Sequence, residues 1–357
     1  MKKLCSLIAL AFLTALTFNA KAQSNNDGIS SLFKGSPDDV NKLMNAYTTP
    51  LFKGFGNSLN GGWTNTAKTQ HFLGFSVRIS ATASMVPGKD KSFDINSLGL
   101  ANIKPTDPNK TMAATFAGDK NLSTGITYTD PNNSLAKYNT TLPKGVMSYI
   151  PAPQIQVTVG LVKHTDFTIR YIPTVKITND VGKVGMFGFG LKHDIIQDFA
   201  PKGKDFPFDL AVAFGYTHLN YNKSLNVKPD NNNVSGNTDF SNQSLEGNFN
   251  GINASVIFSK KLLFFTPFVS VGYQKSTTNV SLKGNYPFVT GVTPLTGQPT
   301  YTSYANPISI SGSNAGLSGT RADLGFQLSL AFFKLYASYG VSSTSYNSFN
   351  AGIGFGL

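Results

Sequence analysis

Four histidines are the side chains of this 357-residue chain whose ordinary pKa lies near neutrality. Hydrolysis of an ester or a peptide would need one of them within hydrogen-bond reach of a Ser, Thr or Asp on the same rim, so that base and nucleophile meet. His71, His164 and His193 stand where a strand starts, turns or ends. His218 shares the phase of Phe214 and Tyr216 and so points away from any interior. No histidine pair has metal-ligand spacing, and Gly188-x-Gly190 opens no helix, so it forms no dinucleotide loop. The sequence therefore predicts no enzyme, no cofactor and no metal site. Six charges offer a different chemistry. Arg78, Arg170, Lys192, Asp209, Arg321 and Asp323 each fall on the polar phase of an alternating stretch. They either fill a narrow interior as ion pairs or line a polar constriction that selects solutes. Arg321-x-Asp323 puts opposite charges two residues apart on one face, which favours pairing.

The elements that position these charges are strands. The last residues read YNSFNAGIGFGL, and Phe349, Ala351, Ile353, Phe355 and Leu357 alternate with Ser348, Asn350 and three glycines to the final carboxylate. Phe349, Ile353, Phe355 and Leu357 form the apolar signal of a closing barrel strand, which faces lipid on one side and pairs with the first strand. The same alternation recurs from Phe72 to Met85, Gln154 to Leu161, Phe167 to Tyr171, Met186 to Lys192, Phe208 to Tyr216, Ile252 to Phe258, Phe265 to Tyr273, Ala322 to Phe332 and Leu335 to Val341. Connections near His164, Lys260 and Phe333-Lys334 are short, whereas 86–150, 223–247 and 283–318 are long. Short periplasmic turns and long outer loops are the usual asymmetry of outer-membrane barrels. The fold class is all-β: a transmembrane, antiparallel, up-and-down barrel of about ten strands. Twelve or fourteen stay open, because Thr111–Phe116 and Gly125–Tyr128 could add hairpins. Both termini are expected on the periplasmic side.

The N-terminus carries an export signal. Lys2 and Lys3 precede an uncharged apolar stretch from Leu4 to Phe18, and Ala20-Lys21-Ala22 is an A-x-A site. That stretch is shorter than the ~20 residues of a spanning helix. Cleavage after Ala22 removes the only cysteine, Cys5, and with it any disulfide or thiolate site. Charged residues are 13%, about half the usual share of soluble domains. Of the 30 Lys and Arg, three leave with the leader, and 18 acidic residues then leave a net charge of +9. The basic residues are scattered, with no aromatic-interleaved cluster that would bind nucleic acid. A basic envelope protein attracts lipopolysaccharide phosphates, but scattered solvated lysines explain the charge better; the expected partners are outer-membrane lipid and lipopolysaccharide, the barrel-assembly machinery and a small solute, with the chain a monomer.

Three segments follow: a signal peptide over 1–22, an N-terminal segment over 23–70 and the barrel over 71–357. In the middle segment Ser36 is a good N-cap, Pro37 suits the first helical position, and Asp38 and Asp39 suit the positive end. Val40, Leu43, Met44 and Tyr47 recur at helical spacing, and Pro50 is expected to stop the run. This short helix and the loop Gly54–Trp63, which holds the only Trp, are expected to plug the barrel mouth, with a lead-in packed on the rim as the alternative.

The run Tyr47-x-x-Pro50, Gly54-x-Gly56, Leu59-Asn60-x-Gly62-Trp63-x-x-Thr66-Ala67, with Gly188-Phe189-Gly190-Leu191-Lys192-His193-Asp194 later, resembles an uncharacterised family of Bacteroidetes outer-membrane proteins. The likeness covers essentially the whole mature chain and brings no established activity with it. A plug-like segment before the first strand is also distantly similar to the FadL-like long-chain fatty-acid transporters, whose Asn-Pro-Ala motif has its nearest counterpart in Asn65-Thr66-Ala67. The expected function is a porin-like channel for passive uptake of a small solute, hydrophobic ones included. A structural or surface-interaction barrel with a closed lumen is the alternative.

Overall fold

The computed structural model describes residues 31–178, 182–199, 206–330 and 332–356; the expected leader and Leu357 lie outside them. Ten antiparallel strands close into one barrel. They are β1 Phe75–Met85, β2 Tyr149–Leu161, β3 Thr165–Thr178, β4 Gly182–Asp194, β5 Asp209–Ser224, β6 Ser244–Ser259, β7 Phe265–Lys283, β8 Ser309–Leu330, β9 Phe333–Ser342 and β10 Ser348–Gly356. Each pairs with its neighbour in sequence, and β1 closes on β10 with Val77 opposite Phe355 and Ala83 opposite Phe349. Closure leaves no unpaired edge, which is what a sheet needs in hydrocarbon. The strands within 86–148 form two small sheets outside the ring, so the extra hairpins add nothing to the count of ten.

Outward positions form an apolar belt. Ile155, Val157, Ile169, Phe187, Leu191, Val212, Val256, Val271 and Leu324 are all exposed, as lipid-facing residues must be. Aromatic pairs girdle the short-turn end, with Phe208–Phe258 at 5.4 Å, Phe265–Phe326 at 5.6 Å and Phe333–Phe355 at 5.3 Å between ring centroids.

Strands β5 to β8 run 16, 16, 19 and 22 residues, well past the ~9–11 that cross a bilayer. In the overhang the two faces exchange character. Outside, His218 meets Asn250 at 2.7 Å and Asn220 at 3.0 Å. Inside, Leu219, Phe249, Val280 and Leu282 are buried. The upper wall is thus the shell of a water-facing cap that rises above the bilayer at the long-loop end.

That cap is built around the N-terminal segment. Helix α1 spans Pro37–Asn60. Leu43, Met44, Tyr47, Phe52 and Leu59 share one core with Phe249, Val280 and the loop residues Ile95, Tyr128, Tyr286 and Phe288. The helix runs straight through Pro50, where it was expected to stop. An interior proline removes one backbone bond and costs about 3 kcal/mol, but packing on both sides outweighs it: Phe52 and Phe55 lie 5.8 and 5.6 Å from Phe249. Gly54 and Gly56 sit so close to Ile150 and Ser276 that any Cβ there would collide with them.

Three further boundaries differ from the sequence reading. β1 starts at Phe75, because Leu73 has φ +59° and Gly74 N–H turns back to the His71 carbonyl. Phe333 and Lys334 belong to β9 and pair with Phe355 and Gly354, so the turn lies just before them. The described chain begins at the long-loop end rather than the short-turn end: Phe33 stacks on Tyr286 of the β7–β8 loop at 5.2 Å.

Candidate functional site

After α1 the chain descends through the barrel as an extended loop, Gly61 to Gly74, and the lumen charges close on it. In β4 and β5 the inward residues Gly190 and Gly215 pair with each other across the ladder and leave a bare patch of wall. The Trp63 ring lies on that patch: a Cβ built on Gly215 would fall 2.5 Å from Trp63 Cδ2 and Cε2, and one on Gly190 2.9 Å from Cζ3. Arg170 of β3 stacks over the indole at 3.8 Å. Its guanidinium donates to the Leu59 carbonyl at 2.7 Å, the Gly61 carbonyl at 3.1 Å and Thr217 Oγ1 at 3.1 Å.

Arg78 of β1 donates to the carbonyls of Gly62 and Trp63 at 2.8 and 2.7 Å, to Asn65 Oδ1 at 2.6 Å and to Gln156 Oε1. A guanidinium has five donors and no acceptor, which suits a loop that turns its carbonyls outward. Neither Arg78 nor Arg170 has a carboxylate partner among the described residues; the Leu59 carbonyl at the end of α1 and three loop carbonyls hold them instead. Arg321 of β8 is the third anchor. It forms a bidentate pair with Asp323, with Nη2 to Oδ1 at 2.7 Å, and also donates to Ser348 Oγ at 2.7 Å and to the Asn57 carbonyl at 3.4 Å. Lys192 reaches Asp166 at 3.1 Å and the Lys68 carbonyl at 2.7 Å near the short-turn end. Asp209 is buried at that same end.

Of the six charges singled out from the sequence, Arg321 and Asp323 meet as a pair, while Arg78, Arg170 and Lys192 reach the N-terminal segment. Phe349, Ile353 and Phe355 lie on the outer face of β10; Leu357 is outside the described residues. Sequence reasoning passed over the neutral side chains that hold the loop as firmly. Gln154 Nε2 donates to the Ser58 and Gly61 carbonyls, both at 3.2 Å, and Gln156 Nε2 to the Gly62 carbonyl at 2.9 Å. Gln274 donates to Asn57 Oδ1 at 2.9 Å. Their one signal was position: each occupies the inward phase of its strand.

Side chains that face a water-filled pore are wet, and these are not. Thr82, Gln154, Arg170, Thr217, Gln274 and Thr278 are each at 0% exposure. A cavity of about 20 Å³ beside Trp63, Asn253 and Asp323 has room for a single water and for no solute.

His193 Nε2 meets Asp198 at 2.9 Å and its Nδ1 meets Thr165 Oγ1 at 3.0 Å, a hydroxyl–imidazole–carboxylate row. The Thr165 hydroxyl already donates to the Lys163 carbonyl at 3.1 Å, so it accepts from the ring rather than yielding it a proton.

In the cap, Lys34 binds Asp230 Oδ2 at 2.7 Å, and Tyr301 and Tyr138 donate to the same oxygen at 2.8 and 3.2 Å. Burial raises the Asp230 carboxyl, but the Lys34 ammonium and the two hydroxyls outweigh it and hold the group below its ordinary value. Burial, reinforced by the Asp230 charge, pushes Tyr138 up to about 12. A groove of about 360 Å³ opens between α1 and residues 89–98, lined by Phe93 and Leu98, by Lys42, Lys53 and Lys89, and by Asp90.

The full sequence, residues 1–357, matches the profile of a family of unknown function, DUF6588. The chain belongs to that family. No curated protein sequence matches it. Among solved structures, it is similar to the outer-membrane protease OmpT of Escherichia coli at 9% identity, with a TM-score of 0.33 over 82% of this chain and all of that one. It is similar to Ail of Yersinia pestis at 10% identity, with a TM-score of 0.26 over 80% of this chain and all of that one. The Neisserial surface protein NspA gives 11% identity and a TM-score of 0.23 over 79% and 96%.

Proposed function

We propose that this DUF6588 protein resides in the outer membrane as a closed barrel whose work is done by its cap, as a surface-interaction protein rather than a passive channel. One observation carries the reading: inward side chains on opposite walls, from Gln154 and Arg170 to Gln274 and Arg321, are buried against the N-terminal segment. A solute would have to break the bonds of three arginines to four carbonyls of the N-terminal segment, Asn57 and Asn65 to pass. The apolar belt supports a barrel embedded in lipid, and the expected export signal and closing strand support delivery to the outer membrane by the barrel-assembly machinery. Its partners there are lipid and lipopolysaccharide, and the protein acts as a monomer. The groove lined by Phe93, Leu98, Lys42, Lys53, Lys89 and Asp90 is where the cap offers a ligand apolar contact beside three cations and one carboxylate.

Planar-bilayer recording of the folded full chain tests this. The protein should insert and give no steady conductance steps. Regular single-channel steps from heat-modifiable, fully folded protein would return the function to a transport channel.

A further inference from the structure

The N-terminal segment crosses the barrel in one direction. At the long-loop end Phe33 stacks on Tyr286, and Lys34 is tied to Asp230 in the β5–β6 loop. Lower, at the upper ends of β1 and β2, Asn57 Nδ2 donates to Ser84 Oγ at 2.9 Å and Ser58 Oγ to the Ile150 carbonyl at 2.7 Å. Mid-barrel, Trp63 rests on Gly190 and Gly215. Near the short-turn end Gln70 N–H donates to Asp166 at 2.8 Å, and Leu73 N–H to the Gly160 carbonyl at 2.9 Å, just before β1 begins. The contacts move monotonically from the outer loops to the periplasmic turns.

We infer that the barrel is threaded by its own chain and holds the mature N-terminus outside the cell, so that it serves as an anchor presenting whatever precedes Ser31 at the surface. Two physical facts close the return route. The lumen is filled by the chain that has just passed through it, and the outside of the barrel is lipid, which a polar backbone does not cross unpaired. The reach is also too short. Eight residues lie between the expected cleavage after Ala22 and Ser31, and fully extended they span less than about 30 Å. The apolar band alone is ~25 Å tall, and Ser31 starts above it, within the cap. The Lys34–Asp230 contact adds a clasp: Lys34 is 7% exposed and also lies 5.3 Å from the Tyr301 ring centroid. The segment is therefore locked at its point of exit. This inference rests on outer-membrane placement but is independent of whether the lumen conducts.

Loss of Cys5 with the leader makes single-cysteine labelling clean. Asn26→Cys is placed before the exit, Leu295→Cys in the fully exposed tip of the β7–β8 loop, and Lys163→Cys in the β2–β3 turn. Intact cells are treated with a membrane-impermeant maleimide, then compared with permeabilised cells. Asn26→Cys should label in intact cells to the same extent as Leu295→Cys, while Lys163→Cys labels only after permeabilisation. Asn26→Cys that is protected until permeabilisation, or that labels under neither condition, overturns the inference. Protection of Leu295→Cys with labelling of Lys163→Cys would invert the whole barrel and overturn it equally. None of these outcomes bears on conductance, so failure here is distinguishable from failure of the closed-lumen reading.

Discussion

Replacing Gly215 by Ala adds one methyl group to the barrel wall, and its effect follows from the Trp63 cradle. In an ordinary strand the change would stabilise by roughly 0.5–1 kcal/mol through reduced backbone entropy in the unfolded chain. Here the new Cβ meets Trp63 Cδ2 and Cε2 at 2.5 Å and Nε1 at 2.7 Å, closer than real Cβ contacts come. The indole cannot retreat, because Arg170 covers its other face at 3.8 Å. Overpacking of this kind costs about 1–3 kcal/mol, so the clash outweighs the entropy gain. Trp63→Ala alone should cost about 3–5 kcal/mol of plug docking. The three nearest atoms to the Gly215 Cβ all belong to Trp63, so in a Trp63→Ala background Gly215→Ala should cost nothing or stabilise slightly. The coupling across the double-mutant cycle is then about 1–3 kcal/mol. Amide hydrogen exchange of residues 57–67 in detergent-folded protein measures it. In Gly215→Ala, emission from the sole Trp should also shift to the red as the ring leaves the wall. Gly352→Ala is the control: its Cβ meets the Ile79 carbonyl of the neighbouring strand at 2.5 Å and its three nearest atoms all belong to Ile79 and Ser80, so Trp63→Ala should not rescue it. An equal cost of Gly215→Ala with and without Trp63 would refute the cradle.

Arg321→Ala leaves Asp323 half-desolvated without its partner and frees Asn57, so exchange over residues 57–61 should accelerate by the equivalent of about 3–5 kcal/mol; adding Asp323→Ala should recover part of this, and no recovery would mean the pair is dispensable. The clasp at Lys34 should depend on pH at both ends. The lowered Asp230 value contributes stability above the ordinary carboxyl value near ~3.9, and that contribution is lost as pH falls through the lower folded value. The raised Tyr138 value contributes stability below about pH 10, lost as pH rises through about 12. Exchange of residues 32–35, corrected for intrinsic rates, should be slow between these limits and faster beyond them, and Asp230→Asn should abolish the acid limb. An acid limb that persists in Asp230→Asn would assign it to another group.

Within the bilayer the fold was legible because hydrocarbon enforces a simple rule. Leu210, Val212 and Phe214 had to face lipid, so Asp209, Ala211, Ala213 and Gly215 had to face in, and the barrel obeys this on β5 as it does on β1 and β10. Above the bilayer water replaces lipid and the rule reverses. Leu219 and Phe249 point inward while His218 and Asn250 point out, so the apolar phase slips by one residue between Tyr216 and Leu219. A strand whose hydrophobic phase inverts midway reads as one that ends, which is why β5 was cut short at Tyr216 and β6 was begun late at Ile252. The helix was lost past Pro50 for a related reason. Its continuation depends on Phe249, which lies about 200 residues away and belongs to a strand wall that no local pattern announces.

The candidate site divides along the same line. That Arg78, Arg170 and Arg321 point inward follows from the cost of a charge facing lipid, a local constraint that alternation reveals. What they bind does not follow from side-chain types. Opposite charges in the sequence suggested pairing, yet Arg78 and Arg170 are held by the carbonyls of Leu59, Gly61, Gly62 and Trp63, and every residue of every sequence carries a carbonyl. The discriminating feature is where the backbone can come close enough. Gly61 and Gly62 provide it: a Cβ at the first would meet Thr82 at 2.7 Å and at the second Asn350 at 2.6 Å, and Gly62 sits at φ +69°. Two adjacent glycines let the loop press against β1 and β10 and turn its carbonyls toward β1 and β3. A buried cation whose terminal nitrogens meet carbonyl dipoles in this way ties loop to wall from both sides. Removing Arg78 takes the donor from the Trp63 carbonyl, and moving the loop strands the arginine, each at the cost of a desolvated polar group. The packing of the N-terminal segment inside the barrel is therefore a property of the glycine pair as much as of the charges.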